Sequence, residues 1–292
     1  MTDPANARTT EQDITRRHFD AASDYWQRIY DDDFAATFTG YSLRTAHHHI
    51  LDQIAALAAT DRVQRVIDVG CGAGVTALAL AERGYTVSGV DSAPRMIERA
   101  RATAEPTGIA VDFTVAAADR LPYASASAEV VIALGLLSNL RDDGPALAEI
   151  WRVLKPGGRL LATVANLVGV DVWVALPASA PILLNSTRLR VPTRRLGNVA
   201  RRLTGRPIKP AHVLRFGRSV IPPRYADHLR AAGWREVTYQ ALAFGPLHPF
   251  GLRLIRDART IRISDGIVRR ADRWQWLHNI GALVIYSARR AG

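Results

Sequence analysis

A turn with a glycine at every second position constrains the fold of this chain more than any other feature. Val66, Ile67 and Val69 predict a short buried strand, and the turn Gly70–Gly74 (GCGAG) follows directly. A helical pattern then leads to a second predicted strand, Tyr85–Val90, which ends at Asp91. Strand, glycine-rich turn, helix and strand in this order are typical of one nucleotide-binding half of a doubly wound α/β sheet.

The spacing of the glycines separates two kinds of ligand. A dinucleotide fingerprint, G-x-G-x-x-G, needs its third glycine at position 75, where this chain has Val75. The chain reads Asp68-x-Gly-x-Gly-x-Gly instead. A carboxylate at the end of the first strand would repel a pyrophosphate, whereas it suits a ligand that carries a positive amino group. Asp91, about 20 residues further on, is placed to accept hydrogen bonds from two ribose hydroxyls.

The loop D-x-G-x-G-x-G resembles the signature loop of the class I S-adenosylmethionine-dependent methyltransferases. Two later segments are similar to the same family. Asp91–Met96 resembles the D-x-S-x-x-M segment of the quinone-biosynthesis branch, with its serine one position early, and Leu154–Gly158 reads L-K-P-G-G before an apolar strand. The resemblance covers roughly residues 63–164 well and the rest of the chain more weakly. It implies an enzyme with S-adenosylmethionine as its cofactor.

The resemblance also implies which residues bind the cofactor. In the family, the acid after the second strand, here Asp91, holds the ribose hydroxyls. The acid after the third strand, here Asp119, accepts a hydrogen bond from the adenine amino group. A tyrosine of an N-terminal helical segment often covers the ligands, and Tyr30 is the candidate for it. The predicted cofactor-binding residues are Asp68, Gly70, Cys71, Gly72, Gly74, Asp91, Ser92, Met96, Asp119, Arg120, Leu134 and Tyr30.

The predicted fold is α/β, a doubly wound seven-stranded, mostly parallel sheet with an N-terminal helical segment and an inserted, mainly helical cap. Residues 1–60 are the helical segment, and residues 61–166 are the cofactor-binding core. Residues 167–222 are too long for a simple connection and are interpreted as the cap over the substrate site. Residues 223–292 complete the core with the sixth and seventh strands and carry a basic insertion at 243–279. The strands predicted after the second are 110–116, 130–134, 159–164, 234–242 and 282–288.

The charge of the chain is strongly positive. The formal net charge of the 292 residues is +11, and only Lys155 and Lys209 of the 38 basic residues are lysines. A genomic preference for arginine codons and a basic surface for an anionic partner explain this composition equally well. In the insertion 243–279, apolar residues lie among several arginines. That combination fits a solvated helix, a dimer contact or a basic face lying on a membrane.

Cysteine and histidine limit the chemistry of the site. The single cysteine, Cys71, has no partner for an internal disulfide, and no signal-peptide pattern opens the sequence, so we expect a reducing cytoplasm. His47, His48 and His49 are consecutive on a predicted helix over 42–59, so their side chains point about 100° apart and do not converge on one ion. The acid that starts the magnesium site of catechol-type enzymes is also missing after the fourth strand. We therefore expect no metal.

Methyl transfer from a sulfonium is an in-line displacement with a good leaving group. The protein mainly has to hold the acceptor atom about 3 Å from the methyl carbon and exclude water. A hydroxyl acceptor gains from a general base, for which His212, His248 and His48 are the candidates, with His47 as the alternative to His48. We expect a small organic acceptor of acidic or lipid-like character, with oxygen preferred over nitrogen or carbon.

Two other functions stay open at this point. The first is an RNA or protein methyltransferase whose basic C-terminal half binds a polyanion. The chain lacks the N/D-P-P-Y/F motif with which amino-methylating DNA enzymes hold a flipped base, and nucleic acid is the less favoured partner. The second is a non-catalytic regulatory subunit that binds S-adenosylmethionine. An oligomer is compatible with all of these functions.

Overall fold

The structure is a computed structural model that describes residues 16–17, 19–20, 36–169, 219–245, 255–271 and 273–292. Its main helices and strands, in chain order, are α1 (Phe38–Thr60), β1 (Arg65–Val69), α2 (Val75–Ala81), β2 (Thr86–Asp91), α3 (Pro94–Ala104), β3 (Asp112–Val115), β4 (Ala128–Ala133), α4 (Gly144–Val153), β5 (Leu154–Asn166), β6 (Ser219–Val220), α5 (Pro222–Ala231), β7 (Arg235–Ala243), α6 (Asp257–Ala271) and β8 (Leu283–Arg289).

The strands form one sheet in the order β3-β2-β1-β4-β5-β8-β7, and β6 pairs with β5 beside this path. β1 pairs in parallel with both β2 and β4, so that Val69 lies opposite Val90 and Ile67 lies opposite Val131. β8 is antiparallel to β5, and β7 is antiparallel to β8. The predicted α/β class, with a doubly wound and mostly parallel sheet, is confirmed.

Helices cover both faces of this sheet, so the central strands are buried on both sides. On one face, α1, α2 and α3 bury Ile50, Leu80 and Ile97 in a shared cluster with the sheet. On the other face, α4 and α5 contribute Ile150 and Leu229 to a second cluster. Because successive residues of a strand point to opposite faces, β1 supplies both clusters from adjacent positions.

Helix α6 packs its polar residues inward against α1 and the end of β7. The Tyr41 hydroxyl on α1 donates a hydrogen bond of 2.6 Å to Asp265 Oδ1, and the Phe38 amide donates one of 3.4 Å to Asp257 Oδ2. Ser264 Oγ accepts a 2.9 Å bond from the Phe244 amide. The two acidic residues of α6 in the described range are thus turned towards α1, which leaves the opposite side of the helix to its arginines.

Several boundaries differ from the prediction. An additional strand, β6, lies at the end of the segment predicted as the cap. The strands predicted as the sixth and seventh are therefore β7 and β8 of the structure. A strand of two residues has no periodicity to detect. β5 begins at Leu154 rather than Arg159, because a register shift between Ala128 and Val130 lets it pair with β4 through the turn glycines. The rest of the predicted cap, residues 170–218, lies outside the described residues.

The first prediction concerns a buried hydrogen bond between α5 and α4. The Tyr225 hydroxyl donates to Asp143 Oδ2 at 2.5 Å, and both residues are buried. Tyr225→Phe leaves the buried carboxylate short of a donor, so the free energy of unfolding should fall by about 1–3 kcal/mol in urea titrations. Tyr286→Phe is the matched control, since that hydroxyl donates only a 3.3 Å bond to the Pro222 carbonyl. An equal loss in both variants would contradict a special role for the carboxylate.

Candidate active site

The glycine-rich turn lies where the strand order of the sheet reverses. In the sheet, β2 and β3 lie on one side of β1, and β4 lies on its other side. A crevice therefore opens at the carboxyl ends of β1 and β4. Open α/β sheets bind their ligands at such a switch point. The predicted residues from Asp68 to Gly74 and from Asp91 to Met96 follow or end the strands that border this crevice.

Backbone hydrogen bonds fold the turn tightly onto the end of β2. The amides of Gly70 and Cys71 both donate to the Val90 carbonyl, at 2.7 and 3.1 Å. Gly70, Gly72 and Gly74 all have positive φ, at 77°, 53° and 79°. No described atom lies within 4 Å of the place that a Cβ on Gly72 would take. The backbone at Gly72 is therefore open to the approach of a ligand, as the glycine spacing predicted.

Asp68 is the most unusual ionisable group of this region. Its side chain is 2% exposed, and its Oδ1 has no hydrogen-bond partner among the described residues. Burial, followed by the neighbouring charge of Asp91, raises the pKa of Asp68 to about 8. A buried carboxyl without a counter-charge is destabilising, and a cationic ligand group beside it removes that penalty. This orphaned oxygen fits the ammonium group of S-adenosylmethionine.

Asp91 joins the glycine-rich turn to the following helix. Its Oδ2 accepts a 3.1 Å bond from the Gly72 amide, and its Oδ1 accepts a 2.9 Å bond from the Ala93 amide. Burial raises the pKa of Asp91, although these amide bonds act in the opposite direction. Asp20 of the N-terminal segment accepts a 3.0 Å bond from the Arg95 amide at the start of α3. The N-terminal segment therefore reaches the same edge as the carboxylate proposed for the ribose.

The remaining predicted cofactor residues fall into two groups. Ser92, Asp119 and Leu134 are partly exposed, and Arg120 is exposed. Met96 is instead buried in the first turns of α3, where its side chain packs against the core.

Cys71 adds no nucleophile to this set. Burial, together with the Asp68 and Asp91 carboxyls, raises the pKa of its thiol well above the usual range, so the thiol stays protonated. Tyr30 lies outside the described residues.

The candidate bases are not brought together by the described part of the chain. His48 is exposed on α1, and His212 and His248 lie outside the described residues. His47 Nδ1 is 3.0 Å from Thr76 Oγ1 on α2. Burial, then the charges of His48 and Arg83, lowers the pKa of His47 to about 4. His47 is thus neutral at physiological pH but a weak base. We therefore assign it no role as a proton acceptor.

Sequence reasoning missed the polar contacts that fix the ends of β4 and β5. Thr163 Oγ1 accepts a 2.8 Å bond from the Gly135 amide, and Ser138 Oγ accepts a 2.9 Å bond from the Ala165 amide. These bonds hold the edge of the crevice next to Leu134. Isolated threonine and serine residues in apolar segments carry no pattern from which this role could be predicted.

Comparison with known proteins decides the family. A methyltransferase domain matches residues 67–162. The demethylmenaquinone methyltransferase of Deinococcus radiodurans is 34% identical over 197 residues, which cover 65% of this chain and 76% of the relative. The chain belongs to the class I S-adenosylmethionine-dependent methyltransferases. It is therefore an enzyme with S-adenosylmethionine as its cofactor, as predicted from the turn.

This methyltransferase is also similar to a second sequence relative and to a solved structure. The ubiquinone biosynthesis O-methyltransferase of Methylocella silvestris is 34% identical over 102 residues, which cover 35% of this chain but only 40% of that relative. Among solved structures, phosphoethanolamine N-methyltransferase 2 of Haemonchus contortus, in complex with S-adenosyl-L-methionine, superposes with a TM-score of 0.59. That match has 17% identity and covers 95% of this chain and 60% of the other, so it shows the fold alone.

The described residues contain neither a metal-binding cluster nor a membrane-spanning helix. No group of three or more histidine, cysteine, aspartate or glutamate side chains in these ranges is arranged to hold a metal ion. None of the helices in the same ranges is long and apolar enough to cross a membrane.

The second prediction concerns Gly74 of this methyltransferase. A Cβ at Gly74 would lie 2.6 Å from Cζ of Phe113, and the φ of +79° already disfavours a side chain. Gly74→Ala should therefore lower the free energy of unfolding by roughly 2–4 kcal/mol, from strain plus overpacking, as measured by urea denaturation. Gly72→Ala is the matched control, because it has a positive φ but no described neighbour within 4 Å. Equal losses in the two variants would show that Phe113 adjusts without cost.

Proposed function

We propose that this methyltransferase transfers a methyl group to a hydroxyl oxygen of a small, lipid-like, quinone-related organic acceptor. S-adenosylmethionine supplies the methyl group from its sulfonium when it is bound. The proposed cofactor site rests on the pair of carboxyls at the ends of β1 and β2. The unpaired buried oxygen of Asp68 would bind the amino group, and Asp91, which accepts the Gly72 amide, would bind the ribose.

Asp119 and Tyr30 complete the proposed cofactor site. Asp119 follows β3 and would accept a hydrogen bond from the adenine amino group, and Tyr30 would cover the ligand from the N-terminal segment. The acceptor would lie beyond the sulfur, against the ends of β4 and β5. The chain then acts by alignment and by exclusion of water rather than through a fixed triad. His212 and His248 remain the proposed bases for a hydroxyl acceptor.

The names of the relatives support the acceptor class. One is a demethylmenaquinone methyltransferase, and the other is a ubiquinone biosynthesis O-methyltransferase. Both names refer to quinones. The preference for oxygen rests on the name of the O-methyltransferase. A hydroxyl acceptor would gain from a general base, which the histidines would supply.

The test is a turnover assay with S-adenosylmethionine labelled in its methyl group. The acceptors are a short-tailed dihydroxybenzene, a demethylated quinol and a single-stranded RNA, and Gly72→Val serves as the inactive control. We expect label in the phenolic acceptor, with the new methyl carbon bonded to oxygen in the NMR spectrum of the product. Label on a ring carbon would overturn O-methylation, and label in the RNA alone would overturn the acceptor class.

A further inference from the structure

Two tryptophans after α6 present an apolar surface to water. Trp274 and Trp276 are 60% and 56% exposed, and their ring centroids lie 6.3 Å apart with planes inclined by 27°. Tryptophan buries more apolar area than other side chains when it finds a partner. Ile263 on α6 is also exposed, at 38%. Exposed tryptophans that lie together in this way mark an interaction surface.

All charged residues on the exposed side of α6, beside this tryptophan pair, are arginines. At about 100° per residue, the buried positions Thr260, Ser264 and Ala271 share one side of the helix, and the exposed positions share the other. We call the exposed arginines of this segment the basic face: Arg259, Arg262, Arg269, Arg270 and Arg273.

The charges of the basic face are not neutralised within the described part of the chain. None of its arginines forms an ion pair with a described residue. The acids of α6 point elsewhere, since Asp265 accepts the Tyr41 hydroxyl and Asp257 accepts the Phe38 amide on the side of α1. The basic face therefore attracts an anionic surface over a length of roughly 20 Å along the helix.

The tryptophan pair lies at the edge of the sheet that carries the cofactor site. β7 ends and β8 begins at this edge, opposite Ala165 at the end of β5. The turn after Trp276 is tied to the same edge, because Asn166 Nδ2 donates a 2.7 Å bond to the Asn279 carbonyl. The Tyr239 hydroxyl donates a 2.8 Å bond to Asn279 Oδ1. These bonds fix the segment after the tryptophan pair to the carboxyl edge of the sheet, the edge at which the crevice opens.

We propose that the tryptophan pair, Ile263 and the basic face bind the surface of an anionic phospholipid bilayer. Tryptophan partitions to the headgroup level of a membrane, and each arginine near an anionic surface strengthens binding roughly fivefold. A nucleic acid fits less well, because Ile263 offers it neither a charge nor a stacking surface. If the proposed function holds, this docking places the crevice where a lipid-like acceptor enters from the bilayer.

The experiment is vesicle flotation with the full chain. Vesicles of phosphatidylcholine alone are compared with vesicles that also contain phosphatidylglycerol. We expect at least about tenfold tighter binding to the anionic vesicles, and a loss of about tenfold or more in Trp274→Ala/Trp276→Ala and in Arg269→Glu/Arg270→Glu. Brominated lipids should quench part of the tryptophan fluorescence of the native chain, and that part should be missing in Trp274→Phe/Trp276→Phe.

The matched control is Arg83→Glu/Arg235→Glu, which changes the net charge equally at the opposite edge of the sheet. It should bind anionic vesicles within about twofold of the native chain. An equal loss in this control would overturn the proposal in favour of general charge attraction. Binding of single-stranded RNA instead of vesicles would also overturn it.

Methyl transfer to a water-soluble acceptor separates the docking surface from the proposed function. The Trp274→Ala/Trp276→Ala variant should keep this activity, which also shows that it is folded. Loss of the activity together with vesicle binding would assign the pair to the folded core and overturn the proposal. If the native chain binds vesicles but methylates no quinone-related acceptor, the proposed function fails and the docking surface stands.

Discussion

Replacing Asp68 by asparagine should lower the affinity for S-adenosylmethionine about 100-fold and make the ligand-free methyltransferase more stable. The affinity should fall because the amide cannot offer a negative charge to the amino group, and one charge-assisted contact in a buried site accounts for about 2–3 kcal/mol. The stability should rise because the buried carboxyl, with its unpaired Oδ1, costs free energy in the absence of a ligand.

The free energy of unfolding of the native chain should also depend on pH through Asp68. The pKa of Asp68 is raised to about 8 in the ligand-free fold, compared with an ordinary value of 3.8. The folded chain therefore holds a proton that the unfolded chain has lost, and its stability should fall as the pH rises from about 4 to about 8. In Asp68→Asn this dependence should be missing, so the gain in stability should grow as the pH rises across that window.

Cofactor binding should show the opposite trend with pH. A cationic amino group binds the ionised form of Asp68, so the affinity of the native chain should increase up to about pH 8 and then level off. Calorimetry in buffers of different ionisation enthalpy should detect release of a proton at pH 7.

Glu129→Gln is the matched control for the Asp68 experiments. It removes a carboxylate that accepts the Arg65 amide at 2.7 Å at the other edge of the sheet. It should lower stability without changing affinity. If Asp68→Asn binds the cofactor like the native chain, the assignment of the amino group to Asp68 is wrong.

The cofactor half of the fold could be predicted because its signals are local. The turn from Gly70 to Gly74 needs positive φ at alternate residues, and only glycine accepts such angles without strain. The apolar runs on either side are short and uniform because the parallel strands are buried on both faces. One loop, two strands and the acid at each strand end were therefore enough to predict the family and the cofactor.

The C-terminal half could not be predicted to the same depth, because its contacts are distant in sequence. α6 buries Thr260 and Ser264 and exposes Ile263, so hydropathy gives the wrong impression of which side faces the core. Ser264 is buried because its hydroxyl accepts the Phe244 amide across 20 residues, which no local pattern announces. Asn166, which anchors the turn before β8, likewise bonds to carbonyls more than 100 residues away.

Asp91→Ala should also weaken cofactor binding by about 100-fold, but through the ribose rather than the amino group. The substitution removes an acceptor proposed for two hydroxyls, and each charge-assisted hydrogen bond contributes about 1.5–3 kcal/mol. It also frees the amides of Gly72 and Ala93, so stability should fall by roughly 1–3 kcal/mol. This loss distinguishes it from Asp68→Asn, for which stability should rise.

A thermodynamic cycle that combines one substitution with one change of ligand separates the ribose contact from the effect on the turn. Calorimetry is performed with S-adenosylhomocysteine and with its 2′,3′-dideoxy analogue, on the native chain and on Asp91→Ala. The native chain should bind the analogue far more weakly than the parent compound, whereas Asp91→Ala should bind the two within about threefold, because the group that reads the hydroxyls is gone. If Asp91→Ala still distinguishes the two compounds as strongly as the native chain does, the carboxylate serves only to hold the turn, and another residue reads the ribose.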